Sequence, residues 1–416
     1  MRDHWNLKNL RMPKVIILIF TLCLFNFSAI AKSSKTRVNK RPLSLKGFAQ
    51  KKKFFKEGKL QPSAKSRHLL KVNKPAFNLG LLDSTYASWG ISSRNKKSSI
   101  NLLEAWKLYK KKKEIVVAVV DTGIDPQHPF LKNNLYVPKG PAQSSHYGMD
   151  FSKGRRYKYT PFDGHGHGTH VSGIIKSIFP DVKILTLKYY NPKASGQENL
   201  NSTVKALEYA VNQNVDIINY SGGGPEPSIT ELRILKRAEE KGILIIAAAG
   251  NESSNIDDKK KAYYPASYGL DNIISVTAYN QSLNILSSSN YGKSSVDIFA
   301  PGYRIKSSYP YNRAVFLTGT SQATAFVTGV VSLIKSMNPK LSSKQIKTII
   351  NNSAKREKTM INKSISGGRL DAGSALRMAI SMTQQKRSIS EVSQKKLGQG
   401  KIILRRASSN KAVGRN

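Results

Sequence analysis

Four short stretches of the chain carry side chains that could do chemistry together. LTGTSQATAFVTG (317–329) places Ser321 where an apolar run gives way to a small, helix-compatible one. A serine there can simply cap free backbone N–H groups. As a nucleophile it would need an adjacent base, and the base would need an orienting group. GHGHGTHVSG supplies His165, His167 and His170, three of only 7 histidines. Their spacing also suits a turn, a helix start or metal ligands, although no further ligands with zinc spacing stand out. Asp121, in AVVDTGID, follows an apolar strand pattern. Alone it reads as a turn or cap residue, yet a carboxylate there could hold an imidazole Nδ1–H and stabilise the imidazolium. Asn251, in AAAGNE, offers an amide able to donate to a developing oxyanion. Each fragment is ambiguous by itself; jointly they fill the roles of acyl transfer.

The elements that must position these side chains are legible as two alternating patterns. Short continuous apolar runs at 114–120, 182–187, 215–220, 242–249 and 272–278 predict strands buried on both faces. Helix patterns fall between or after them, over 167–177, 200–212, 229–241 and 321–337. The alternation predicts an α/β fold, doubly wound, with a mostly parallel sheet and helices on both faces. Three of the strands end in DTG, SGGG and GNE. Sites in open α/β sheets form just outside the carboxyl ends of the strands. Asp121, the 221–224 loop and Asn251 are therefore expected on one rim.

With these stretches in place, residues 83–381 resemble the subtilisin family of serine proteases. The resemblance rests on AVVDTGID, GHGTHVSG, NYSGGGP, AAAGNE and GTSQATAFVTG, in the order Asp, His, Asn, Ser, with FAPG and GGRLDAGSAL behind them. It implies a subtilisin-like fold and an endopeptidase acting on proteins or peptides through an acyl-enzyme. Ser321 would be the nucleophile, His167 the general base and acid, and Asp121 its orienter. Asn251 would be the oxyanion donor, alongside the Ser321 backbone N–H. Ser221, Gly222, Gly223 and Gly224 would form one backbone wall of the cleft for the P1 side chain, and Ala248, Ala249 and Gly250 the other. His165 and His170 do not match the catalytic position and are expected to be structural. Relatives also hold a cis proline in the segment matching Tyr264–Pro265.

The chain departs from the family pattern in three places. Gln322-Ala323-Thr324-Ala325-Phe326 replaces the usual Met-Ala-Ser/Thr-Pro-His, which leaves the roles intact. Gly222 stands where relatives often carry a bulky residue, and is expected to open the cleft. Lys153, Arg155, Arg156 and Lys158 lie in a segment that is often acidic. Clustered cations oppose calcium, which wants several oxygen ligands. No cofactor is expected and no metal site is assigned; a calcium site elsewhere is possible but unsupported. The alternative is a catalytically inactive relative that binds peptides or envelope polymers.

Composition bounds the rest. The 416 residues are 39% apolar, enough for a substantial core, and carry a formal charge of +43. The flanks are densest in charge: 32–82 hold 15 basic and 1 acidic side chains, and 382–416 hold 9 and 1. Such flanks suit an anionic cell-envelope surface, or are merely solvated tails. No zinc-finger spacing or aromatic RNA-binding signature supports specific nucleic-acid recognition. The run at 15–27 is apolar, follows Arg11 and Lys14, and precedes Ala29-Ile30-Ala31. It predicts a signal peptide over 1–31 and a secreted or periplasmic protein. Cys23, the only cysteine, lies inside it. The expected organisation is then a basic pro-segment or linker over 32–82, the peptidase domain over 83–381 and a basic tail over 382–416.

Overall fold

Val116–Asp121 (β1) shows how an unbroken apolar run becomes a central strand. Side chains alternate across a sheet. Val117 and Val119 accordingly enter one hydrophobic cluster, while Ala118 and Val120 enter another on the opposite face. A strand buried on both sides has no polar face to display, so its sequence loses the usual alternation. In the computed structural model, which describes residues 75–138, 146–152 and 159–384, four more strands follow this rule. They are Lys183–Lys188 (β3), Ile217–Tyr220 (β4), Leu244–Ala248 (β5) and Ile273–Tyr279 (β6).

Gly148–Asp150 (β2), Ile298–Pro301 (β7), Lys355–Arg356 (β10) and Gly368–Arg369 (β11) complete a nine-stranded sheet ordered β10-β11-β7-β6-β5-β4-β1-β3-β2. Every pairing is parallel except β10 with β11. Leu102–Leu108 (α1), His167–Ile178 (α2), Thr320–Met337 (α5) and Ser343–Asn352 (α6) contribute to one core. Gly196–Asn212 (α3) and Ile229–Glu240 (α4) build the other. The doubly wound α/β class expected from the sequence is the fold observed.

Boundaries moved for local reasons. Packing starts before residue 83: Phe77 stacks on Tyr109 at 5.2 Å and meets Trp106 edge-on at 5.4 Å. A lone aromatic among lysines has no period to betray it. At the other end, helix continues over 372–384. Helix α3 begins four residues earlier than expected, because Ser195 and Glu198 form a reciprocal capping box. Ile305–Tyr309 (β8) and Arg313–Leu317 (β9) form an antiparallel hairpin outside the strands expected from apolar runs. The Tyr264–Pro265 bond is cis. The signal-like segment, the Lys153–Lys158 cations and most of both basic flanks lie outside the described residues.

Helices α2 and α5 cross closely because Gly329 has no side chain. A Cβ there would sit 2.6 Å from the Ile178 Cβ. Gly329→Val should therefore overpack the contact and cost about 1–3 kcal/mol. Urea unfolding checks this; an unchanged midpoint would show that the helix pair separates freely.

Candidate active site

The chain leaves β1 toward β3 on one side and returns to place β4 on the other, so the sheet reverses direction of growth beside β1. A crevice outside the carboxyl ends is expected at such a switch. Asp121 ends β1, Ser221 follows β4, and Asn251 lies three residues beyond β5. The rim read from the sequence is present.

His167 is brought to Asp121 by a turn built on Asp163. That carboxylate is fully buried and accepts from Thr122 Oγ1 (2.8 Å), His165 N (3.1 Å), Gly166 N (2.6 Å), Thr169 N (2.8 Å) and Thr169 Oγ1 (2.7 Å). Thr122 Oγ1 in turn accepts from Gly168 N at 2.9 Å. The N–H groups of Gly168 and Thr169 in the first α2 turn are thus satisfied from outside the helix. His167, first residue of α2, then sets Nδ1 2.7 Å from Asp121 Oδ1. The same oxygen accepts Thr122 N at 2.7 Å, and Asp121 is only 3% exposed. With Nδ1 engaged, Nε2 is the nitrogen left for chemistry.

Burial alone would push the His167 imidazole down. The Asp121 charge, the hydrogen bond to it and the Asp163 charge outweigh that, holding the pKa above the usual 6.5. His170 goes the other way. It lies beneath the β8–β9 hairpin, with Nε2 3.0 Å from the Ile305 carbonyl and 3.2 Å from that of Val315. Burial pushes its pKa down to about 3. His165 presents its carbonyl to the Tyr309 hydroxyl at 2.7 Å.

Ser321 is the second residue of α5, after Gly319, whose backbone (φ 156°, ψ 173°) is essentially restricted to glycine. Its hydroxyl donates to the Ser221 carbonyl at 2.9 Å, and the Ser221 hydroxyl donates back to the Ser321 carbonyl at 3.3 Å. Thr328 and Asn219 support this pair: Thr328 Oγ1 donates to Asn219 Oδ1 (2.7 Å) and Asn219 Nδ2 to Ser221 Oγ (2.9 Å). Asp121 and His167 are joined directly, whereas Ser321 is turned toward Ser221 and makes no hydrogen bond to His167 in this rotamer.

Asn251 Oδ1 accepts from Thr320 N (3.0 Å) and Thr320 Oγ1 (3.2 Å). Both bonds fall on the oxygen, which orients the amide and leaves its Nδ2 donors for another acceptor. The loop carrying it is pinned by Asn290, 1% exposed. Asn290 donates to the Ala249 carbonyl at 2.8 Å, and its oxygen accepts Glu252 N (3.1 Å) and Ser254 N (2.9 Å). Asp163, Asn290 and Thr320 escaped sequence reasoning. Only Asp163, just before the glycine–histidine run, carried a local signal, as a short acidic residue at a helix entry.

Gly222 does not open a gap. The Tyr189 hydroxyl lies where its Cβ would be, with the Tyr220 ring 3.2 Å away. Among the described residues, no group of three or more His, Cys, Asp or Glu is placed to hold a metal ion.

Comparison with known proteins bears on the family and the fold. The profile of the Subtilase family matches residues 112–373. M-protease of Shouchella clausii (strain KSM-K16) is 35% identical over 250 residues, 58% of this chain and 59% of that protein. Subtilisin Savinase of Lederbergia lenta is 34% identical over 250 residues, 58% of this chain and 83% of that protein. The major intracellular serine protease of Bacillus subtilis (strain 168) is 35% identical over 243 residues, 56% of this chain and 72% of that protein. In fold, the chain is similar to a lanthipeptide protease, with a TM-score of 0.59, 24% identity, and coverage of 74% of this chain and 99% of that one. A match over most of the described residues, on a mostly parallel sheet, makes the chain a member of the Subtilase family.

Proposed function

We propose that the protein is a serine endopeptidase in which Asp121, His167 and Ser321 form the catalytic triad. The observation that carries this reading is the 2.7 Å contact between His167 Nδ1 and the buried Asp121 carboxylate, with Ser321 at the start of α5 on the same rim. Rotation about χ1 frees the Ser321 hydroxyl from the Ser221 carbonyl. Its Oγ attacks the substrate carbonyl carbon while His167 Nε2 takes the proton, and Asp121 stabilises the imidazolium. The tetrahedral oxygen is met by Asn251 Nδ2 and the Ser321 N–H at the positive end of α5. Collapse expels the amine, which takes the proton from His167, and water repeats the sequence on the acyl-enzyme. Residues 221–224 and 248–250 flank the P1 side chain.

We also place the protein outside the cytoplasm, on the signal-like 1–31 segment, with the basic flanks held to anionic envelope polymer. N-terminal sequencing of exported protein should begin after Ala31 or later. Deleting 32–74 and 385–416 should abolish low-salt retention on anionic vesicles. Retention that survives the deletion, or ignores salt, refutes the tether.

Ser321→Ala and His167→Ala should each nearly abolish hydrolysis of casein without loss of fold, and the double variant should be little worse than either. Asn251→Leu should lower kcat by roughly 10²–10³ with KM little changed, a magnitude carried over from a subtilisin. Near-wild-type turnover in either triad variant sinks the assignment. A raised KM with intact kcat would make Asn251 a ground-state contact.

The pH profile provides an independent check. The base must be neutral, and its pKa is raised above 6.5, so kcat/KM should fall as pH drops through a midpoint above 6.5. Asp121→Asn removes both raising contributions of that residue. Its acid limb should move to lower pH while the rate collapses, by roughly 10⁴-fold on the precedent of other such triads. An acid limb unmoved by the substitution would dissociate Asp121 from His167.

A further inference from the structure

Building on the cleft assigned to the P1 side chain, we infer that the Tyr263 ring fills that pocket, so that the enzyme cleaves after glycine, alanine or serine and rejects large P1 residues. The two walls of the cleft come from different loops, yet both abut one ring. A Cβ on Gly223 would lie 2.5 Å from Tyr263 Cε1, and a Cβ on Gly250 would lie 3.0 Å from Tyr263 Cδ2. Cε1 and Cδ2 are opposite corners of a phenol ring. The ring therefore spans the gap, one edge against each wall, where a long P1 side chain would have to enter.

The ring is not free to swing aside. It packs against the buried cluster of Ala249, Ile256, Ala266 and Val296. Its backbone is fixed on both sides: Tyr263 N donates to Ser267 Oγ at 3.1 Å and Ser267 N to the Tyr263 carbonyl at 2.9 Å. The next residue is laced to the first wall, Gly224 N to the Tyr264 carbonyl at 3.0 Å and Tyr264 N to the Gly224 carbonyl at 2.8 Å. Nor does Gly222 provide relief on that wall, since Tyr189 occupies the space beside it. A substrate side chain larger than a methyl or hydroxymethyl group would have to displace a packed aromatic ring. Overpacking of this kind is costly in close-packed surroundings.

The test uses the full-length chain and peptide p-nitroanilides that differ only at P1, carrying Ala, Phe or Lys. Wild type should favour Ala over both others in kcat/KM. Tyr263→Gly should raise the Phe/Ala ratio by about 10–200-fold, the range one misfitted hydrophobic group commands. Tyr263→Phe should keep the wild-type order, because the ring and not the hydroxyl does the excluding. Should Tyr263→Gly fail to fold, mass mapping of wild-type cleavage sites in a denatured protein decides the matter. Cleavage mainly after Phe, Leu or Lys overturns the inference, as does a folded Tyr263→Gly with an unchanged ratio. An active wild type with the wrong P1 preference refutes the Tyr263 assignment alone. A wild type that cleaves nothing and takes no fluorophosphonate at Ser321 refutes the endopeptidase reading beneath it.

Discussion

A carboxylate with no surface open to water must find its solvation within the protein, and Asp163 finds five donors in Thr122 and the entry to α2. Burying such a charge without partners would cost several kcal/mol or force its protonation. The requirement works in the other direction as well. Because each donor must point inward, the backbone from His165 to Thr169 is left with one arrangement, and His167 can only project toward β1. The negative charge also sits at the amino end of α2, where the helix dipole favours it. Thr122, the residue after Asp121, is one of the five donors, so the same carboxylate that fixes the histidine fixes the strand end it meets.

Ser321 and Asn251 rest on a second arrangement of similar logic. Asn251 anchors its oxygen on the first α5 residue, while Asn290 ties down the loop on which Asn251 stands. The two arrangements are joined where α2 and α5 touch at Gly329, and again where the β8–β9 hairpin closes over α2. Ser307 and Ser308 in that hairpin donate to the His170 and Thr169 carbonyls at 2.8 and 2.9 Å. The chain then runs from β9 directly into Thr320 and Ser321. A displacement of either helix would consequently be felt by the residues of both.

The framework and the candidate side chains of the rim are legible in the sequence for one reason: both are written locally. An apolar run of strand length, a glycine-punctuated helix entry and an Asp at a strand end are each visible within about ten residues. What stayed hidden depends on partners distant in the chain. Asn290 looks like one more polar residue in SSSNY, and its importance comes from a loop forty positions earlier. The β8–β9 hairpin mixes lysine, serine and arginine into its strands because its outer face is wet, so its pattern resembles a loop. Gly222 was misleading for the same reason. Removing a side chain opens space only if no neighbour fills it, and Tyr189 comes from the far end of β3.

The charge of the whole chain and the charge of the site have opposite signs of influence on His167. A formal +43 should disfavour one more proton, yet the imidazole is held above its usual pKa. Distance and solvent resolve the conflict. Exposed lysines act through water and salt, and their effect fades over roughly 10 Å at 0.1 M ionic strength. Asp121 acts at 2.7 Å from inside the protein, where almost no water or counterion intervenes. Two buried carboxylates, Asp121 and Asp163, therefore outweigh burial in setting the proton affinity of the imidazole. At the rim of the sheet, the nearest buried neighbours set the charge state that the imidazole favours.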